Sequence, residues 1–313
     1  MEKIATREAY GKALAELGET YDFVVLDADL AAATKTGIFK KKFPERFFDC
    51  GIAEANMASV AAGLAAAGQI PFISSFAMFS AGRAFEQVRN SIAYPHLNVK
   101  IVGTHAGITV GEDGATHQCN EDLALMRSIP GMVVINPSDA TESRAAVEAA
   151  LKYDGPVYLR FSRFATPDLT SEVEGFSYEI GKGVVLAEGA DVTIVACGYM
   201  VHLAMEAKDM LAAEGITATV IDMHTVKPLD TELLLAAAKK TGAVVTAEEH
   251  NINGGLGEAV AAALAETYPV PVMRVGVADS FGRSGKVPPL LEMYGLTSAK
   301  IAERAKAAIA LKK

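Results

Sequence analysis

The chain has 313 residues, of which 50% are hydrophobic and 21% charged, with a formal net charge of −9. That length exceeds what a single hydrophobic core fills, so two globular units are expected. The acidic balance argues against nucleic acid or an anionic membrane surface as the main partner, but leaves phosphorylated small molecules open, because a few local cations and helix amino ends hold those.

Cys50, Cys119 and Cys197 form no paired motif and fit the reduced thiols of a cytoplasmic protein. Residues 1–5 lack a charged-then-apolar signal pattern, and no apolar run approaches the ~20 residues of a membrane span.

In chain order, a helix is expected ahead of the first strand. Short β-branched runs at 23–26, 71–73, 99–102, 133–135 and 157–160 then alternate with alanine-rich stretches at 54–67, 84–93, 120–128 and 140–152. Such alternation with short connections predicts an α/β fold, a doubly wound, mostly parallel sheet covered by helices on both faces. Residues 1–165 are assigned to this first domain and the polar, non-periodic 166–182 to a linker. Residues 183–313 are read as a second, smaller α/β domain, with strands at 192–197, 217–221 and 243–248 and helices at 202–214, 231–240 and 256–267. Gly254-Gly255-x-Gly257 opens the last of these helices. As a phosphate cradle this pattern is weak, and a tight strand-to-helix turn with close packing is the expected reading.

The densest chemistry lies in residues 104–118, Thr-His-Ala-Gly-Ile-Thr-Val-Gly-Glu-Asp-Gly-Ala-Thr-His-Gln, directly after the apolar run at 99–102. A strand that delivers titratable groups into a glycine-punctuated loop matches the ligand end of a parallel sheet. His105 and His117 are twelve residues apart with no third ligand at metal-binding spacing, so no metal site is expected in this chain.

This loop, Gly51-Ile52-Ala53-Glu54-Ala55-Asn56-Met57 and Phe76-Ala77-Met78-Phe79 together resemble the carboxyl-terminal section of transketolase, a thiamine diphosphate enzyme, in the family's order and over nearly the whole chain. The resemblance implies a pyrimidine-binding domain followed by the transketolase carboxyl-terminal domain. It implies that Glu54 hydrogen-bonds N1′ of the cofactor's aminopyrimidine, where a carboxyl group in an apolar pocket can share its proton with the ring. It places Phe76 and Phe79 against that ring and Asp29 near the thiazolium. His105 and Arg163 would hold the sugar phosphate, Asp113 the donor's C2 hydroxyl, and His117 the C3 hydroxyl proton. An imidazole, titrating near pH 6.5, suits the last task, and a guanidinium can grip phosphate with two N–H groups. Where the family usually adds a tyrosine three residues beyond the second phenylalanine, this chain has Gly82 and Arg83 with one residue inserted; Arg83 and Arg160 are read as surface or packing residues.

The family binds the cofactor's diphosphate through Mg2+ or Ca2+ on a Gly-Asp-Gly motif, which this sequence lacks. A split enzyme is therefore expected, in which an amino-terminal subunit supplies diphosphate and metal ligands and the two chains form an α2β2 heterotetramer acting on sugar phosphates. A piece of an undivided enzyme is the alternative. Competing functions are the corresponding part of a 1-deoxyxylulose-5-phosphate synthase or of a 2-oxoacid dehydrogenase, and a non-catalytic partner that kept only the fold.

Overall fold

A computed structural model describes residues 3–312; Met1 and Glu2, part of the segment expected to carry no leader, lie outside it. The first domain is built on β2 (Val24–Asp27), β3 (Phe47–Asp49), β4 (Pro71–Phe76), β5 (Lys100–Thr104), β6 (Val133–Ile135) and β7 (Val157–Arg160). All six run parallel, in the order β6-β7-β5-β4-β2-β3. Every residue of β2, β4, β5, β6 and β7 is buried, which is why these strands read as continuous apolar runs rather than as alternating ones.

The order of the sheet reverses at β2. From there the chain passes outward to β3, then returns through the Glu54–Ala66 helix to β4 on the other side. The crevice above the carboxyl ends of β2 and β4 is thus the topological switch point, where open α/β sheets bind ligands. Two short strands missing from the sequence reading, β1 (Lys3–Ala5) and β8 (Ala165–Pro167), pair antiparallel. They tie the start of the Thr6–Leu17 helix to the segment that leaves the first sheet.

The second sheet contains β9 (Val184–Ala187), β10 (Val192–Ala196), β11 (Ala218–Asp222), β13 (Val244–Asn251) and β14 (Val272–Val277), in the order β14-β13-β10-β11-β9, with β9 antiparallel to the rest. Between β11 and β13 the chain crosses back. The short strand β12 (Thr225–Lys227) pairs antiparallel with β6 and forms the seventh strand of the first sheet. Val134 and Tyr158 of the first sheet share one hydrophobic cluster with Val195 and Ile221 of the second. The two units are therefore joined through a common core, and no described helix is long and apolar enough to cross a membrane.

The glycine pattern at residues 254–257 is a packed turn. Glu248 on β13 accepts the backbone N–H groups of Leu256 (2.7 Å) and Gly257 (2.8 Å), so its carboxylate already occupies the helix amino end that a phosphate would need. A Cβ on Gly255 would fall 1.9 Å from Glu248 Oε2.

Candidate active site

Around the switch point the structure gathers Glu54, Phe76, Phe79, His105, His117 and Arg163 from the sequence reading, with Arg7 and Arg83 beside them. Glu54 is the first residue of its helix and only 1% exposed. Its Oε2 accepts a hydrogen bond from Arg83 Nη1 at 2.8 Å, and its Oε1 has one long contact, 3.4 Å from Ser75 Oγ. Arg83, half-exposed as a surface residue would be, thus also carries an ion pair to a buried acid. Its guanidinium also lies 4.4 Å from the centroid of the Phe79 ring, a cation–π distance.

Phe76 ends β4 and Phe79 lies in the first turn of the helical segment Met78–Arg83; their rings are nearly parallel, 14° apart, with centroids separated by 6.2 Å. Half-buried His117 presents an edge to both, at 6.2 Å from Phe76 and 5.3 Å from Phe79, and its Nδ1 lies 2.9 Å from Thr116 Oγ1. Phe79 and Arg83 line a cavity of about 740 Å³ that Gln118, Asn251 and Phe281 close from the loops above and from the second domain.

On the other side of Phe76, the His105 imidazole stacks at 3.9 Å between centroids. His105 is buried in left-handed backbone (φ 53°), with Nδ1 2.9 Å from Thr104 Oγ1 and Nε2 3.0 Å from Arg7 Nη1. An arginine only donates, so Nε2 must accept and Nδ1 carries the proton. Burial, followed by the charges of Arg7, Arg163, Lys35 and His117, pushes the His105 pKa down to about 3, and the ring is neutral across the working range of pH.

Arg7 is the residue that sequence reading missed. Its backbone N–H donates to Ser162 O (3.3 Å), while Thr6 Oγ1 accepts from Ser162 N (2.7 Å). These bonds set the start of the first helix beside Arg163. A second donor contact, from Arg7 Nη1 to Ala33 O at 2.6 Å, fixes the guanidinium, and burial with the nearby Arg163 charge lowers its pKa. A signal did exist: Tyr10, Leu14 and Leu17 follow Arg7 at helical spacing on a buried face, a position where a cation needs a reason. Arg163 donates to Val110 O and lies 3.5 Å from exposed Glu112.

Asp113 is exposed at the end of the 3-10 turn Ile108–Asp113. Asp29 is exposed in left-handed backbone (φ 62°) after β2. The buried acid there is Asp27, which accepts from Leu30 N, Thr34 Oγ1 and Thr36 Oγ1 at 2.6 to 2.8 Å and so shapes the turn that presents Ala33 O to Arg7. Arg160, also read as a surface or packing residue, is buried and donates to Asp122 Oδ2 (2.8 Å) and Glu249 O (2.8 Å). The second domain grips the loop through Glu249, whose Oε1 accepts Thr109 N at 2.6 Å. Only glycine fits at 107, where φ is +76° and a Cβ would lie 2.5 Å from the Glu249 carboxyl. Among the described residues, no group of three or more His, Cys, Asp or Glu is arranged to hold a metal.

A parallel α/β domain that places a buried acid, paired aromatic rings and a cation cluster at its switch point, roofed by a second α/β domain, has the architecture of a ligand-binding enzyme of the doubly wound class. Comparison with known proteins narrows this. Residues 2–168 match the family model "Transketolase, pyrimidine binding domain" and residues 181–301 match "Transketolase, C-terminal domain": the chain belongs to the transketolase family. It is 50% identical over 300 residues to the "Putative transketolase C-terminal section" of Methanocaldococcus jannaschii, covering 95% of this chain and 94% of that protein. It is 48% identical to the "6-deoxy-6-sulfo-D-fructose transketolase subunit SqwH" of Clostridium sp. (strain MSTE9), over 96% of this chain and 92% of that one. A solved structure described as "Split gene transketolase, inactive beta4 tetramer" superposes with a TM-score of 0.90 at 55% identity, covering all of both chains. Membership of this family implies dependence on thiamine diphosphate.

Proposed function

We propose that the chain is the carboxyl-terminal subunit of a split transketolase that moves a two-carbon ketol unit from a ketose phosphate, such as xylulose 5-phosphate, to an aldose phosphate. The observation that carries this reading is the Phe76–His105 stack, which sets a ring-binding wall and an anion-binding cluster back to back, one aromatic contact apart.

The residues suit the ring end of thiamine diphosphate. Glu54 Oε1 has acceptor capacity to spare, and Phe76 and Phe79 offer flat apolar surface. When bound, the cofactor supplies the nucleophilic carbon and the electron sink. Glu54 holds N1′ and shares a proton with it; Phe76 and Phe79 hold the ring; Asp29 lies toward the thiazolium. Arg163 and His105, with Arg7 added from the structure, hold the substrate's anionic group. Asp113 takes the C2 hydroxyl, and His117 moves the C3 hydroxyl proton. The pyrimidine-binding domain is assigned to residues 1–165, the linker to 166–182 and the carboxyl-terminal domain to 183–313.

Oxygen ligands for Mg2+ or Ca2+ and the diphosphate clamp are assigned to an amino-terminal partner subunit in a cytoplasmic α2β2 assembly. Support comes from the missing Gly-Asp-Gly motif and from relatives described as a section or a subunit. The sulfofructose relative favours a second reading of the substrate, because an arginine cluster recognises a sulfonate as readily as a phosphate.

The purified chain alone should therefore turn over no sugar pair, in keeping with the relative described as an inactive β4 tetramer. Activity should appear on adding a subunit that bears Gly-Asp-Gly, with thiamine diphosphate and Mg2+ or Ca2+. A screen of phosphorylated and sulfonated donors on that complex identifies the substrate. Turnover by the unaided chain would overturn the split-site reading.

A further inference from the structure

Arg83 connects the two groups on which the ring site depends. Glu54 is 1% exposed, and among the described residues Arg83 is the cation within ion-pair distance of it. A carboxyl group this deep needs hydrogen-bond partners for its oxygens. The guanidinium takes Oε2 at 2.8 Å and lies on Phe79 at 4.4 Å. Fixing Oε2 fixes the plane of the carboxyl group, and the freer oxygen is Oε1.

The local cause is the inserted residue. The chain from Met78 to Arg83 winds as a π-helix, the usual way a helix absorbs one extra residue near a functional site. Gly82 permits the wide turn, since a Cβ there would fall 2.4 Å from Met78 Cε. The turn delivers Arg83 over the Phe79 ring, so that a planar cation stands where the family pattern has a third aromatic side chain.

We infer that Arg83 is a positioning residue for the cofactor's aminopyrimidine, acting through Glu54: Phe79 holds Arg83, and Arg83 holds the carboxyl group at the angle the ring nitrogen requires. The inference rests on the proposed role of Glu54. Lysine is a poor substitute, having neither the fork nor the flat face of a guanidinium.

The test is calorimetric binding to the complex with the partner subunit, using thiamine diphosphate and an analogue whose N1′ is replaced by C–H. Arg83→Met should weaken the natural cofactor about 10-fold, the worth of one charge-assisted hydrogen bond, leave the analogue unchanged, and cause no further loss in a Glu54→Gln background. Arg83→Lys should recover part of the loss. Equal weakening of both ligands would mean that Arg83 only packs against the ring, and unchanged or tighter cofactor binding would show no positioning at all; either overturns the inference. Wild-type affinity in Glu54→Gln would instead sink the role of Glu54 itself. Thermal unfolding of each isolated chain checks folding, and should Arg83→Met not fold, Arg83→Lys with the two ligands decides the matter.

Discussion

On one side of Phe76 the chain balances its own charges, and on the other it does not. Glu54 meets Arg83 at 2.8 Å, and the aromatic rings around them pack against one another. Arg7, His105 and Arg163 crowd together with Lys35 close enough to be felt at His105, and the acid paired with Arg163, Glu112, is 62% exposed. The half-buried cations Arg7, Lys35 and Arg163 around the neutral His105 ring repel one another, and in the proposed function an anion from outside relieves that repulsion. The balanced side is arranged to hold one carboxyl group still. Binding strength is sought from the first region and chemistry from the second.

The largest expected effect follows from breaking the balanced side. Glu54→Gln keeps the shape but cannot share a proton with N1′, and turnover of the reconstituted complex should drop by about 10²- to 10⁴-fold, the usual worth of a positioned acid or base. Exchange of the cofactor's C2 proton, followed by NMR, should slow in parallel; exchange at the wild-type rate would refute the assignment. Folding of the isolated chain should be little changed.

On the unbalanced side the expected effect is smaller and of a different kind. Arg163→Met should raise KM for phosphorylated or sulfonated sugars by about 10-fold, with little change for uncharged sugars. Because it also relieves Arg7 of a neighbouring positive charge, the thermal unfolding midpoint should hold or rise. Equal losses on charged and uncharged sugars would remove the anion role.

The least effect on turnover is expected at Glu249, which joins the second domain to the loop. Burial, offset in part by Arg160 and the Thr109 N–H, pushes its pKa up to about 7 from an ordinary 4.5. Between those values the unfolded chain has released this proton while the folded chain keeps it, so stability falls as pH rises through the window and levels off above about 7. Glu249→Gln, neutral throughout, should remove a contribution on the order of 3 kcal/mol from the pH dependence, measurable in urea melts at pH 4.5 and pH 7.5. An unchanged slope would show that Glu249 titrates normally.

Much of this molecule is legible in its local sequence. Strands buried on both faces are mostly apolar even where a buried Ser74, Ser75 or Lys100 interrupts them, and helices between them must be long enough to cross back, so the alternation alone reveals the α/β fold. Glu54, Phe76, Phe79 and residues 105–117 sit immediately beyond strands or at a helix start, where short motifs suffice to place them. Other features depend on which strand lies beside which. Arg7 reaches His105 across 98 residues and Glu249 reaches Thr109 across 140; no window of sequence contains either pair. The return of β12 to the first sheet and the seating of Arg83 on Glu54 are likewise settled only when the strands order themselves. Local periodicity reports which face of an element is buried, whereas the partner it is buried against follows from strand order, and in this chain that order decided which cations reached the site.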